Sequence, residues 1–541
     1  KKRCGVRSAG QDAGDETMKR RDFCKGLAVT LAAGTLAPAA ALPQAGAATA
    51  LVGRAVPDDY YTLWYRSDRC GADLRHDYYY SDSLFDHPAT EYDNQLALAT
   101  LGMAAAADCT WESDQRYWME GEVGRADHIR DAFAKLGFTE VQLFNYTHSL
   151  NDTPDTVGCA VARKTLVRGG RQVTIIGAFL RGSGYGAEWS GNLHAGPGSA
   201  HVGFVTAARQ LVEKTRGYVQ TSAKRQPLGT LKLWMGGYSR GGGVANLVAA
   251  RLPAVLPQLE KKNTFVYTFA APASLTAADC PDLQQDYDNN HAADGRLKKD
   301  WGISNIFNIV SSGDVIPRIL PAEWGFYRNG NDRFLPSTVI PEELQALNDR
   351  SAGMEGTPID FGRLAVAEET DAVLRSMLDL FCDRQTYYKG YEDAMRCMLQ
   401  CATTRTEEEV TRGIVRDDAA VVAQLRSMEL MQRFPQEKVE RCVQAASALS
   451  RPVLEKLGSA VPLQAQQIVI PMLAVGLCFE LQPETVQLVA DFVLSTITVK
   501  GQLSGILKTV LCHFQENYIT VLEAYDPADH GMTPYTRREE L

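Results

Sequence analysis

Two kinds of hydrophobic pattern divide this chain. Up to about residue 310 the apolar positions come in short unbroken runs: 171–183 (RQVTIIGAFLRGS), Leu231 to Met235, Thr264 to Phe269 and Ile303 to Val310. Runs of this kind fit strands buried on both faces, as in a parallel sheet with helices outside. Val141 to Phe144 and Cys159 to Val167 alternate in the manner of strands. Between the runs lie 3.6-period stretches at 91–107, 125–136 and 205–215, and another in which Val244, Leu247, Val248 and Leu252 share one face. Strand, helix and strand at this spacing predict a mixed or parallel sheet with right-handed crossovers. The Tyr- and Asp-rich stretch 57–90 reads as an irregular surface segment covering the core.

From about residue 337 to 500 strand-like runs nearly vanish. Helical periods take over at 366–383, 389–401, 418–431, 436–449, 452–458 and 484–497. Residues 457–479 hold no charged side chain, yet Pro462, Pro471 and three glutamines argue against a membrane span. A buried helix is expected there, with a lipid-facing lid as the alternative. The organisation expected is a core over 51–336, a helical insertion or cap over 337–500, and a C-terminal segment, 501–541, returning to the core.

The first 50 residues change the picture of destination. Arg20 and Arg21 follow Met18 and Lys19 and precede a weakly apolar stretch, Gly26 to Leu42, and a small-residue run ending at Ala50. Paired arginines, a short hydrophobic segment and A-x-A are the signature of a twin-arginine export signal. The expected location is periplasmic, cell-envelope or extracellular. Ten of the twelve cysteines lie beyond this segment, and no two form C-x-x-C. A metal site is not expected, and no cofactor is implied. The leader carries eight Lys/Arg against four Asp/Glu, so the remainder is more acidic than the whole chain at −9. An acidic remainder argues against nucleic acid as a partner, because its phosphates reward a basic face.

Chemistry concentrates at 231–252. Gly237, Ser239 and Gly241 form G-x-S-x-G between the apolar run and the helix. This is a nucleophile elbow, whose sharp turn exposes the serine hydroxyl at a helix N-terminus. Such a serine needs a base and an acid that holds the base. Asp314 suits the acid role, standing just past the 303–310 strand; Asp279 and Asp282 lack a preceding strand. Only His513 and His530 lie beyond Asp314, and His513, directly after an apolar helix, is preferred to His530 in the polar tail. His194 and His201 fall before the nucleophile and are read as structural. The oxyanion hole should combine the backbone N–H of Arg240 with a donor at Ser183, in the loop after the 173–180 strand.

These stretches, taken in order, resemble a known family. Arg181-Gly182-Ser183, Glu188-Trp189 with Asn192, His201-x-Gly203-Phe204, Gly237 to Gly242, Tyr267 to Pro272 and Asn305 to Pro317 are similar to motifs of the class 3 (fungal-type) lipases, especially bacterial members. The resemblance spans roughly 90–330 plus a short piece around His513. It implies an α/β-hydrolase fold, with a mostly parallel central sheet flanked by helices and here a large helical insertion. It also implies a Ser239–Asp314–His513 triad and Ser183 in the oxyanion hole; the expected substrate is a small-molecule or lipid ester, with a lipid interface as one option. The chain departs from the family in having Tyr238 where His is usual, Ser183 for Thr and Asn192 for Asp. A phospholipase or other acyl hydrolase, and a non-catalytic hydrolase fold that binds ligands in the envelope, are the alternatives.

Overall fold

The computed structural model describes residues 55–67, 69–108, 126–146, 155–182, 191–192, 201–276, 304–320, 326–335, 341–380, 392–403, 416–457, 463–481 and 505–525. The export segment, Ser183, His194, Asp279, Asp282, the helix expected at 484–497 and His530 lie outside them.

Seven strands form the central sheet: β3 (Thr139–Phe144), β4 (Cys159–Arg168), β5 (Arg171–Leu180), β6 (Thr230–Tyr238), β7 (Thr264–Phe269), β9 (Ile306–Ser311) and β11 (Asn331–Leu335). The two-residue strands β8 (Leu275–Thr276) and β10 (Phe326–Tyr327) pair with each other beside it. The sheet order is β11-β9-β7-β6-β5-β4-β3. From β5 to β11 neighbouring strands run parallel, and β4 is antiparallel to both β5 and β3. The sheet is therefore mostly parallel, with its reversal at one side.

The unbroken apolar runs have a simple origin. Along β6, Leu231, Leu233 and Met235 enter one cluster and Trp234 and Tyr238 the other. The same split places Phe265, Tyr267 and Phe269 of β7 on one face and Val266 on the opposite one. One face of the sheet is thus largely aromatic and the other aliphatic. Neither meets water, so period-two alternation disappears from the sequence.

Helices cover both faces. The aliphatic face packs against α3 (Val202–Arg225) and α4 (Arg240–Val255), through Leu211, Val212, Leu247 and Val248. The aromatic face takes α1 (Asn94–Ala106) and α2 (Asp127–Lys135). In α1 Thr100 is fully buried and accepts the indole N–H of Trp234 at 2.7 Å, which satisfies the one polar atom of that large side chain.

The surface segment expected over 57–90 is instead largely a β-hairpin. Strands β1 (Asp59–Ser67) and β2 (Ala72–Tyr80) pair antiparallel, from Asp59 opposite Tyr80 to Ser67 opposite Ala72. Leu63, Tyr65, Leu74, Tyr78 and Tyr80 point into the aromatic-face core. The period-two signal was masked because tyrosines occupy both faces: Tyr60 is exposed and Tyr80 fully buried. The expectation that the segment covers the core stands; that it is irregular does not.

Beyond residue 340 the described elements are helical: α5 (Pro341–Ala352), α6 (Ala367–Leu380), α7 (Glu392–Thr403), α8 (Asp418–Ser427), α9 (Gln436–Leu457) and α10 (Leu463–Cys478). Two helices expected at 436–449 and 452–458 are one, because Pro452 sits inside α9 and removes a single hydrogen bond without ending it. Met398, Leu425, Val443 and Val475, from four of these helices, share a cluster with Leu320 and Phe326. Among the described residues no helix is long and apolar enough to cross a membrane. The chain then returns to the sheet as α11 (Gly505–Leu511) and α12 (Gln515–Ala524), whose Tyr518, Ile519 and Leu522 lie in the aromatic-face core. This architecture is the α/β-hydrolase fold.

Candidate active site

Ser239 occupies the tight turn between β6 and α4 with φ 52° and ψ −125°. A non-glycine residue at positive φ is strained, and surrounding structure must impose it. Two glycines permit the turn. A Cβ on Gly237 would lie 2.4 Å from the carbonyl oxygen of Gly241, and one on Gly241 would lie 2.4 Å from that of Arg181. Both contacts are with backbone, which cannot swing aside. The motif spacing therefore records how closely the elbow packs on itself and on the end of β5.

Three elements bring three side chains together. Asp314 lies beyond the C-terminal end of β9, where its N–H donates to Ser311 O at 3.1 Å. His513 stands in the turn between α11 and α12, its N–H donating to Val510 O at 2.9 Å. His513 Nε2 is 2.8 Å from Ser239 Oγ, and His513 Nδ1 is 2.8 Å from Asp314 Oδ2. A carboxylate only accepts, so Nδ1 carries the proton and Nε2 is left to accept from the serine hydroxyl. Asp314 is fully buried, whereas His513 keeps 18% of its side chain exposed, open to a reacting group.

Further contacts hold the group. Asp314 Oδ1 accepts the N–H of Ile316 at 2.9 Å, and Oδ2 also accepts the hydroxyl of Tyr518 at 2.7 Å. The Tyr518 oxygen in turn receives the N–H of Ser311 at 3.1 Å. Burial, with the Asp314 charge beside it, pushes the Tyr518 hydroxyl well above its ordinary range, so it stays a donor. Tyr238, which stands where the family usually has His, donates its hydroxyl to His513 O at 2.5 Å and packs edge-on against Tyr518. No sequence pattern pointed to Tyr518 in this role. Its only signal was a position five residues after His513.

The helical region reaches the same place. Thr370 donates to Gly313 O at 2.9 Å, and Lys508 to Glu369 at 3.1 Å. Cys512 lies beside His513 and Ala365 O, and burial pushes its thiol up to about 12. A thiol is nucleophilic as thiolate, and this one stays protonated below that pH. Iodoacetamide at pH 8 should therefore leave ester hydrolysis unchanged. Peptide mapping should find carbamidomethyl on the exposed Cys70 and none on Cys512. Inactivation in step with Cys512 labelling would contradict this.

Of the expected oxyanion donors, Arg240 opens α4, where the first N–H groups have no carbonyl partner within the helix. Its side chain is buried and turned away from the serine, donating to Thr156 O at 3.2 Å and Asn192 Oδ1 at 2.8 Å and stacking over Phe204. Ser183 is outside the described residues, but its neighbour Gly182 is held by Asp108 through a 2.7 Å bond to its N–H. His201 caps α3, accepting from Phe204 N at 3.2 Å, and lies 2.9 Å from Asn192 O. It is a buried structural histidine. Among the described residues no cluster of three or more His, Cys, Asp or Glu is placed to hold a metal.

Residues 182–324 match the family described as Lipase (class 3). That stretch runs from the loop after β5, through the elbow, to just past Asp314. The chain is an ester-hydrolysing enzyme of lipase type. Among solved structures it is similar to a triacylglycerol lipase with a serine protease triad, at 21% identity over 45% of this chain and 79% of the other, TM-score 0.30. The triacylglyceride lipase of Rhizomucor miehei gives 18%, 45%, 79% and 0.30, and a lipase from Rhizopus microsporus var. chinensis 18%, 45%, 76% and 0.30. No curated protein matches. The family match stops at residue 324, so it includes neither the helical region beyond 340 nor His513.

Proposed function

We propose that this lipase-type enzyme is an exported serine hydrolase that cleaves lipid esters through Ser239, His513 and Asp314. The observation that carries the proposal is the bridging imidazole, 2.8 Å from the serine hydroxyl on one side and 2.8 Å from a buried carboxylate on the other. His513 Nε2 takes the serine proton as Oγ attacks the ester carbonyl, and Asp314 steadies the imidazolium that results. The tetrahedral oxyanion forms at the N-terminus of the 16-residue helix α4, beside Arg240 N–H, with Ser183 proposed from the sequence as the second donor. His513 then passes the proton to the leaving alcohol, and water hydrolyses the acyl-enzyme by the same route. No metal or organic cofactor enters these steps.

The helices of 337–500 are proposed to cap the site and receive the acyl chain. Support comes from the Thr370 bond to the loop carrying Asp314 and from the shared apolar cluster at Leu320 and Phe326. Export is proposed from the paired arginines and the apolar segment after them, and bacterial kinship from the lipase-like motifs between Arg181 and Pro317.

A fluorophosphonate probe tests the nucleophile. The full chain should be labelled, and Ser239→Ala should not. On p-nitrophenyl esters of increasing chain length, activity should favour long acyl chains and rise when an oil interface is added. Equal labelling of both proteins would overturn the serine mechanism. Labelling with preference for short soluble esters would leave an esterase and remove the lipid substrate.

A further inference from the structure

We propose that Asp108 is a positioning residue that ties the oxyanion loop to the segment carrying the catalytic base. The inference rests on the triad and oxyanion reading above. Asp108 follows the last turn of α1, its N–H donating to Ala105 O at 3.1 Å. A carboxylate at the C-terminal end of a 13-residue helix faces the negative pole of the helix, so the helix itself disfavours it there. What it gains is two donors from distant parts of the chain. Oδ1 accepts the N–H of Gly182 at 2.7 Å, and Oδ2 accepts the side-chain amide of Gln515.

Both donors occupy telling positions. Gly182 immediately precedes Ser183, and the carbonyl of Arg181 just before it abuts the elbow at Gly241. Gln515 is buried, opens α12 and stands two residues after His513. Its other amide atom, Oε1, has no hydrogen-bond partner among the described residues, so its polar bonding there is directed at Asp108. The base of Asp108 is itself anchored, because Tyr146 donates its hydroxyl to Ala107 O at 2.7 Å. One carboxylate thus fixes the backbone beside the expected oxyanion donor and the helix start beside the base. Oxyanion stabilisation depends on donors held where the charge will develop, so slack at either end reaches the transition state more than the bound ester.

Full-length Asp108→Ala, Asp108→Asn, Gln515→Ala and Ser239→Ala should be compared by steady-state kinetics, melting temperature and inhibition by an alkylboronic acid, whose serine adduct carries the tetrahedral oxygen. Asp108→Ala should lower kcat by about 10- to 100-fold, part of what losing one oxyanion donor costs. Its KM should move by less than about twofold, the pattern of an interaction made in the transition state. The boronate Ki should rise by the same factor as kcat falls. Asp108→Asn keeps an acceptor for Gly182 N–H, and Gln515 can turn its amide to match, so most of kcat should return. Gln515→Ala should lower kcat and weaken the boronate in parallel, by less than Asp108→Ala.

If Asp108→Ala does not fold, Asp108→Asn and Gln515→Ala decide the matter. Wild-type kcat and boronate affinity in Gln515→Ala would overturn the tie. So would an Asp108→Asn enzyme of native melting temperature that is as inactive as the alanine variant. Full activity in Ser239→Ala would instead remove the triad reading on which the inference stands.

Discussion

His513→Ala is expected to lower kcat by about 10⁶-fold, as much as Ser239→Ala, because nucleophile and base act as one unit. The double variant should be no slower than either single one, leaving the residual rate that oxyanion donors and substrate binding supply alone. His530→Ala should hydrolyse esters at the wild-type rate. The asymmetry follows from geometry: His513 Nε2 sits 2.8 Å from the serine hydroxyl and its ring is locked from the other side by a buried carboxylate. Removal of the ring leaves no acceptor for the serine proton and leaves Asp314 in the interior without its cationic partner during turnover. Steady-state assays of the three single variants and the double variant, on one long-chain and one short-chain ester, check the expectation. Retained turnover in His513→Ala with loss in His530→Ala would transfer the base to the C-terminal tail.

How much of this could be read from the chain itself depended on the range of the interaction. Ser239 was legible because everything that defines an elbow lies within a dozen residues: a doubly buried strand, two glycines and an amphipathic helix. Asp314 was legible for a related reason, since the run Ile306 to Val310 ends shortly before it and the sheet's carboxyl edge is where such strands deliver side chains. The strands themselves were found by their lack of alternation, which the aromatic and aliphatic faces explain. The hairpin at 59–80 was missed because tyrosine is amphipathic and appears on both of its faces.

His513 illustrates the other limit. It is 199 residues from Asp314 and 274 from Ser239, with the helices of 337–500 in between. Chain order and the exclusion of earlier histidines singled it out, but no local pattern could. Asp108 and Gln515 are 407 residues apart, and neither sits in a motif. Tyr518 is buried for its ring as much as for its hydroxyl, so in sequence it looks like any core aromatic. Groups that orient the reacting residues are chosen by three-dimensional packing, and periodicity records only which face of an element is covered.

Asp314→Asn is the second large effect expected, a fall in kcat of about 10⁴-fold with the fold retained. Oδ2 of Asp314 faces two donors, the Nδ1–H of His513 and the hydroxyl of Tyr518, while Oδ1 faces the N–H of Ile316. An asparagine with its NH₂ at the Oδ2 position meets His513 donor to donor. The imidazole escapes by moving its proton to Nε2, the nitrogen that must accept from Ser239, and the base is disabled without being displaced. With the amide flipped, NH₂ meets the Ile316 N–H instead, a clash of donors in a fully buried place. Either arrangement removes the negative charge that stabilises the imidazolium. KM should change little, since Asp314 is fully buried on the far side of the His513 ring from Ser239, and the melting temperature should stay near native because the side chains match in size. An Asp314→Asn enzyme within tenfold of wild type would mean that His513 is held in its working tautomer by something other than this carboxylate. Tyr518, already bonded to Oδ2 at 2.7 Å, cannot take that place, because a hydroxyl carries no charge to offset the imidazolium.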